Sequence, residues 1–132
     1  MRKTKKINKG KNFIINLYYF PFNIYVSIDE TDEKIIKDIN KKFHVTKEDI
    51  ESIKMAERGQ GRCVMMSGNR TVLRIKKQKT VAETASIVTH ESMHAINFIM
   101  ERIGVKFDVE TSEEVFTYGT QYLVRNILEN MK

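Results

Sequence analysis

Residues 80–104 read TVAETASIVTHESMHAINFIMERIG, and this stretch decides how the rest of the chain is organised. Thr80 and Glu83 have the spacing of a helix-capping box. Gly104, with Val105 beyond it, is a C-terminal stop, so the stretch predicts a helix running to Ile103. Val81, Ala85, Val88, Ala95, Ile96, Ile99 and Ile103 spread apolar character round much of its circumference. Such a helix is expected to be buried on more than one side.

Working outward, a short loop over 106–111 leads to a last helix from about Ser112 to Asn130, with Val115, Gly119, Leu123 and Ile127 along one stripe. A glycine in mid-helix costs about 1 kcal/mol relative to alanine, so Gly119 predicts a close approach of two helices. Upstream, Arg62–Met66 and Thr71–Lys76 are strand-like, and Ser67-Gly68-Asn69-Arg70 supplies hairpin turn chemistry. In the second of these strands Val72, Arg74 and Lys76 alternate with Leu73 and Ile75, which predicts one solvated face. Phe22–Ile28 alternates and is rich in aromatic and β-branched residues, as a strand requires. Residues 30–43 place Ile35, Ile36, Ile39 and Phe43 at helical spacing. Thr46 and Asp49 open a further short helix to about Met55, ended by Gly59 and Gly61. The expected class is α+β, a small mixed sheet packed on the long helix and the C-terminal helix.

At 132 residues the chain is long enough for one domain and one core. The formal charge of +6 is local, because Arg2, Lys3, Lys5, Lys6, Lys9 and Lys11 carry no acid among them. Removing them leaves 17 basic against 17 acidic residues. We therefore divide the chain into a basic, solvated tail over 1–12 and a single neutral domain over 13–132. A basic tail is the one feature suited to nucleic acid. The apolar run 13–22 is interrupted by Asn16 and Pro21 and lacks a small-x-small cleavage site, so it is not read as a signal peptide. No run reaches membrane-spanning length. One cysteine, Cys63, forms no internal disulfide, which fits a reducing, cytoplasmic compartment.

The chemistry sits at His90-Glu91-Ser92-Met93-His94. Two histidines at i and i+4 leave the same helix face one turn apart, so both imidazoles can reach one tetrahedral zinc ion (Zn2+). Glu91 lies where its carboxylate can act as general base toward a water activated by that ion. The remaining histidine, His44, is expected to be structural or exposed. A catalytic zinc needs a third protein ligand and an open position. Asp108, Glu110, Glu113 and Glu114 are the downstream candidates. Glu114 is favoured, because it starts a helical face shared with Tyr118, Tyr122 and Arg125. The alternative is that Glu113 and Glu114 only favour a helix N-terminus, and Thr111 and Glu114 even have capping-box spacing.

The motif His90 to His94 with a glutamate on the next helix resembles the gluzincin metallopeptidases, the thermolysin-type zincins. In that group the third ligand often follows the second histidine after 19 intervening residues, a position held here by Glu114. The order of elements also resembles small metallopeptidase-like proteins of bacteriophages, through the stretches THESMHAINF (89–98) and SEEVFTY (112–118). The resemblance covers residues 22–130 in outline and only those two stretches in specific residues. It implies a minimal zincin-like fold and a zinc-dependent peptidase acting on a peptide or protein substrate. His90, His94 and Glu114 would be the ligands and Glu91 the base. It also implies that the strand before the metal helix, Thr71–Lys76, holds the substrate backbone, with Arg74 favouring acidic or polar peptides. The gluzincins usually carry an acid four residues after the ligand glutamate. Tyr118 stands there, a candidate oxyanion donor or a structural tyrosine.

Two other readings are kept. A deformylase-like amide hydrolase would take Cys63 as third ligand, although Gly-Gln-Gly-Arg-Cys does not match the usual cysteine context. A non-catalytic module, metal-bound or not, could contact nucleic acid through the tail with Arg74, Lys76, Lys77 and Lys79.

Overall fold

The computed structural model describes residues 10–17, 20 and 22–132. The other basic tail residues, Arg2, Lys3, Lys5, Lys6 and Lys9, fall outside that range. The chain runs β1 (Lys11–Asn16), β2 (Asn23–Ile28), α1 (Asp32–Lys42), α2 (Lys47–Ile53), β3 (Gly61–Met66), β4 (Arg70–Ile75), α3 (Val81–Arg102) and α4 (Glu113–Asn130). The class is α+β, as expected.

The strands form one mixed sheet in the order β1-β2-β4-β3. β1 and β3 lie antiparallel to their neighbours, and β2 and β4 are parallel. A parallel pair cannot be joined by a tight turn. The chain therefore leaves β2 through α1 and α2, enters β3 and doubles back as β4. Gly68 at φ +76° and Asn69 at φ +58° make that return. Two successive left-handed residues match the twist of the flanking strands.

Period-2 alternation sends neighbouring side chains to opposite faces. Ile24, Val26, Ile28, Leu73 and Ile75 meet Val88, Ala95, Ile96, Ile99, Leu123 and Ile127 of α3 and α4. Tyr25, Met66 and Val72 meet Ile35, Ile39 and Ile53 of α1 and α2 on the other side. Helices thus cover both faces, which overturns the expected solvated face of β4. Arg74 is only 4% exposed. Its guanidinium is paired with Asp32 and donates to the Ile53 carbonyl at 3.1 Å and the Glu30 carbonyl at 2.9 Å. A buried charge is tolerable only with such partners.

β1 begins inside the segment read as a tail, taking in Lys11 and Asn12. Phe13, Ile15 and Leu17 point alternately into the α3/α4 core. The capping box of α2 forms as expected, with Thr46 Oγ1 accepting from the Asp49 N–H and Asp49 from the Thr46 N–H, each at 3.1 Å. Asp49 also accepts from Ser67 Oγ at 2.6 Å, tying α2 to the β3–β4 turn. Burial pushes the Asp49 carboxyl up, but these hydrogen bonds outweigh it and hold it below the ordinary carboxylate value.

α3 starts at its Thr80 cap, whose hydroxyl accepts from the Glu83 N–H at 3.1 Å. It stops at Gly104, at φ +78°. It packs against the sheet and against α4, which buries Val88, Ala95, Ile96 and Ile99, while Val81 and Ile103 at its two ends are exposed. The predicted close approach at Gly119 is present: a Cβ there would lie 3.0 Å from Ile96 Cδ1. The stripe of α4 centres on Phe116, Leu123 and Ile127, whereas Val115 is exposed. Among the described residues no helix is long and apolar enough to cross a membrane.

Candidate metal centre

His90 and His94 stand on the solvent side of α3, both exposed. The i, i+4 spacing brings the rings together edge to face, with centroids 4.8 Å apart. Their Nε2 atoms are 3.2 Å apart. Two nitrogens on one tetrahedral zinc, each about 2.0–2.1 Å from it, stand roughly 3.3 Å from each other. The imidazoles therefore fit two corners of one ion. The ring of Phe98, one turn further on, stacks near His94 with centroids 6.3 Å apart and restricts its free side.

Glu91, on the flank of the same helix face, leans toward β3 and is 8% exposed. Gly61 opens β3 at this point. A Cβ on it would fall 2.8 Å from Ile87 Cγ2, 3.0 Å from Glu91 Cγ and 3.1 Å from Glu91 Oε1. The strand can pass this close only because residue 61 has no side chain. Burial pushes the Glu91 carboxyl above the ordinary carboxylate value, against the opposing pull of His90, His94 and Arg62. A carboxylate shifted upward and held beside two imidazoles is suited to taking up a proton. His90 and Glu91 line an open cleft of about 540 Å³ with Arg58, Gln60, Gly61, Ser86 and Ile87.

The structure does not bring Glu114 to this cleft. Met131, the C-cap of α4, lies beside Lys77 just ahead of α3, so α4 runs back antiparallel to α3. With Gly119 against Ile96, Glu114 comes level with about residue 101 of α3, roughly 10 Å along the axis beyond His94. Ile96 and His94, two residues apart, point to nearly opposite sides of α3. Glu114 lines a separate depression with Leu17, Phe20, Val115, Tyr118, Gly119 and Tyr122. Tyr118 is 65% exposed there, away from Glu91.

Asp108 caps the preceding loop, its Oδ1 accepting from the Glu110 N–H at 2.8 Å and the Thr111 N–H at 3.2 Å. The N-cap of α4 is Ser112, not Thr111, so the alternative capping box to Glu114 does not form either. Among the described residues, no three of His, Cys, Asp and Glu gather to hold a metal ion. The donor set thus fits zinc at two positions and leaves the third to a group not placed beside them.

Cys63, two residues along β3, faces the α3 core, and burial with the nearby Glu91 charge pushes its thiol up to about 12. A ligand must be a thiolate, which this environment opposes. The expected substrate strand is not the one at the cleft. β4 lies inside the sheet between β2 and β3 and has no free edge, and β3 is the strand that exposes one beside α3. Arg74 commits its guanidinium to internal partners, although it still lines a depression with Lys76 and Lys77.

Sequence reasoning missed Gly61, Arg58 and Gln60. The signal was the Gly-Gln-Gly run before a strand, read only as a helix stop although glycine at a strand also marks close backbone approach. No family model matches the chain, and no curated protein and no solved structure matches it.

Proposed function

We propose that this chain is a zinc-dependent peptidase whose cleft lies between β3 and α3. The observation that carries the reading is the 3.2 Å approach of the two Nε2 atoms beside a buried glutamate with a raised pKa. His90 and His94 would hold the ion, which when bound supplies Lewis acidity toward a carbonyl oxygen. Glu91 serves as the general base, taking a proton from water and returning it to the leaving amine. Its burial against Gly61 keeps competing water from its inner side and fixes its direction. β3 offers its free edge to an extended peptide, whose main chain would hydrogen-bond to it as an added strand. Glu114 remains the sequence's candidate for the third ligand. It would reach the imidazoles only if α4 reseated against α3.

Metal analysis tests the proposal first. Purified protein is expected to hold about one zinc per chain, and His94→Ala to release it. Glu91→Gln should keep the metal and lose peptide cleavage, and cleavage at the wild-type rate by that variant would remove Glu91 as the base. Zinc retained by Glu114→Ala would leave the third position to another group.

A further inference from the structure

We infer that the cleft between β3 and α3 reads a carboxylate on the carboxyl-terminal side of its peptide, through Arg58. The inference rests on the peptidase reading in taking the cleft as a peptide site, and it names the substrate class.

The cleft has a direction. Gly61 lies level with Ile87 and Glu91, and at the far end Met65 shares a depression with Phe98, Glu101 and Arg102. The histidine pair therefore sits toward the Gly61 end of a strand spanning roughly 20 Å. A peptide added antiparallel to β3 runs from Met66 toward Gly61, so its carboxyl-terminal side leaves past Gln60 and Arg58. Both line the cleft with His90 and Glu91.

The charge there is one-sided. Arg62 is held by its Nε, which donates to the Ser52 carbonyl at 2.7 Å. Arg58 is exposed and makes no ion pair with the described residues. Glu91 is the one acid lining this part of the cleft. An unpaired guanidinium at the exit of a groove suits a planar carboxylate, which it can grip with two parallel hydrogen bonds. That carboxylate can be the peptide's own terminus or an acidic side chain.

The experiment is equilibrium binding, by fluorescence anisotropy, of amino-terminally labelled oligo-alanine peptides to the Glu91→Gln protein, which does not turn them over. Three peptides are compared: one with a free terminal carboxylate, one amidated with a glutamate side chain near its end, and one amidated with glutamine there. At least one of the first two should bind roughly fivefold tighter than the third, and Arg58→Gln should erase that difference. Which of the two gains identifies the source of the carboxylate. A preference that survives Arg58→Gln, or equal binding of all three, overturns the inference. So does a single-stranded oligonucleotide that displaces the peptides in an Arg58-dependent way. Cleavage by the wild-type protein is scored separately. Arg58-dependent binding without cleavage removes the peptidase reading alone, and cleavage without Arg58-dependent preference removes only the carboxylate site.

Discussion

Gly61 and Glu91 occupy each other's space: a Cβ on the strand residue would sit 3.0 Å from Cγ and 3.1 Å from Oε1 of the helix residue. The general-base candidate is thus oriented by a backbone, not by a side-chain partner. Gly61→Ala should displace Glu91 and Ile87 together and cost about 1–3 kcal/mol, the usual penalty for overpacking. Denaturant unfolding measures the loss, and peptide cleavage should fall with it. Unchanged stability would mean that β3 and α3 are further apart than described.

Glu91 should also betray itself through pH. Its carboxyl is raised in the folded state, so the folded chain holds that proton more tightly than the unfolded chain does. The sign follows: this contribution is fully present below the unfolded value and is lost as pH rises through the folded one. Metal-free Glu91→Gln should therefore melt higher than wild type near pH 7, with the gap closing toward about pH 4. Melting curves at both values check this. In the active protein the base must be ionised, so cleavage should rise with pH above the ordinary carboxylate range.

Gly119 reports on the α3–α4 contact. Alanine there gains about 1 kcal/mol of helix propensity. Its Cβ, 3.0 Å from Ile96 Cδ1, asks a flexible methyl to yield, so the net change should be small. Gly119→Val adds bulk that Ile96 cannot absorb and should cost about 1–3 kcal/mol by thermal or denaturant unfolding.

Arg74 separates burial from charge. Arg74→Ala leaves Asp32 and the Glu30 and Ile53 carbonyls without their donor and should cost about 3 kcal/mol. Double replacement with Asp32→Ala should recover part of that loss, because no carboxylate is then stranded. A double-mutant cycle in denaturant gives the coupling directly.

Much of this was legible in one dimension. The caps at Thr46 and Thr80, the stop at Gly104 and the turn at Gly68-Asn69 are local, set by backbone and side-chain groups a few residues apart. The alternation of Phe13, Ile15 and Leu17 was equally local, but a neighbouring run of lysines hid β1. The solvated face expected for β4 failed for a different reason. Alternation tells which residues share a face and not whether a helix covers it, and Arg74 looks like a surface residue until Asp32 is brought to it.

The sequence by itself determined the imidazole pair, because residues four apart on a helix must share a face wherever the helix is put. It determined α3 and α4 as elements, and the closeness of their packing at Gly119. Only the tertiary structure decided what faces Glu91, which edge strand lies beside α3, and on which side of α3 the second helix lies. Those are relations between segments distant along the chain. The spacing from His94 to Glu114 counts residues through a loop and carries no information about the angle at which α4 returns. Hydrophobic packing of Ile96 on Gly119 sets that angle, and it turns Glu114 toward Leu17 and Phe20 instead of toward the histidines.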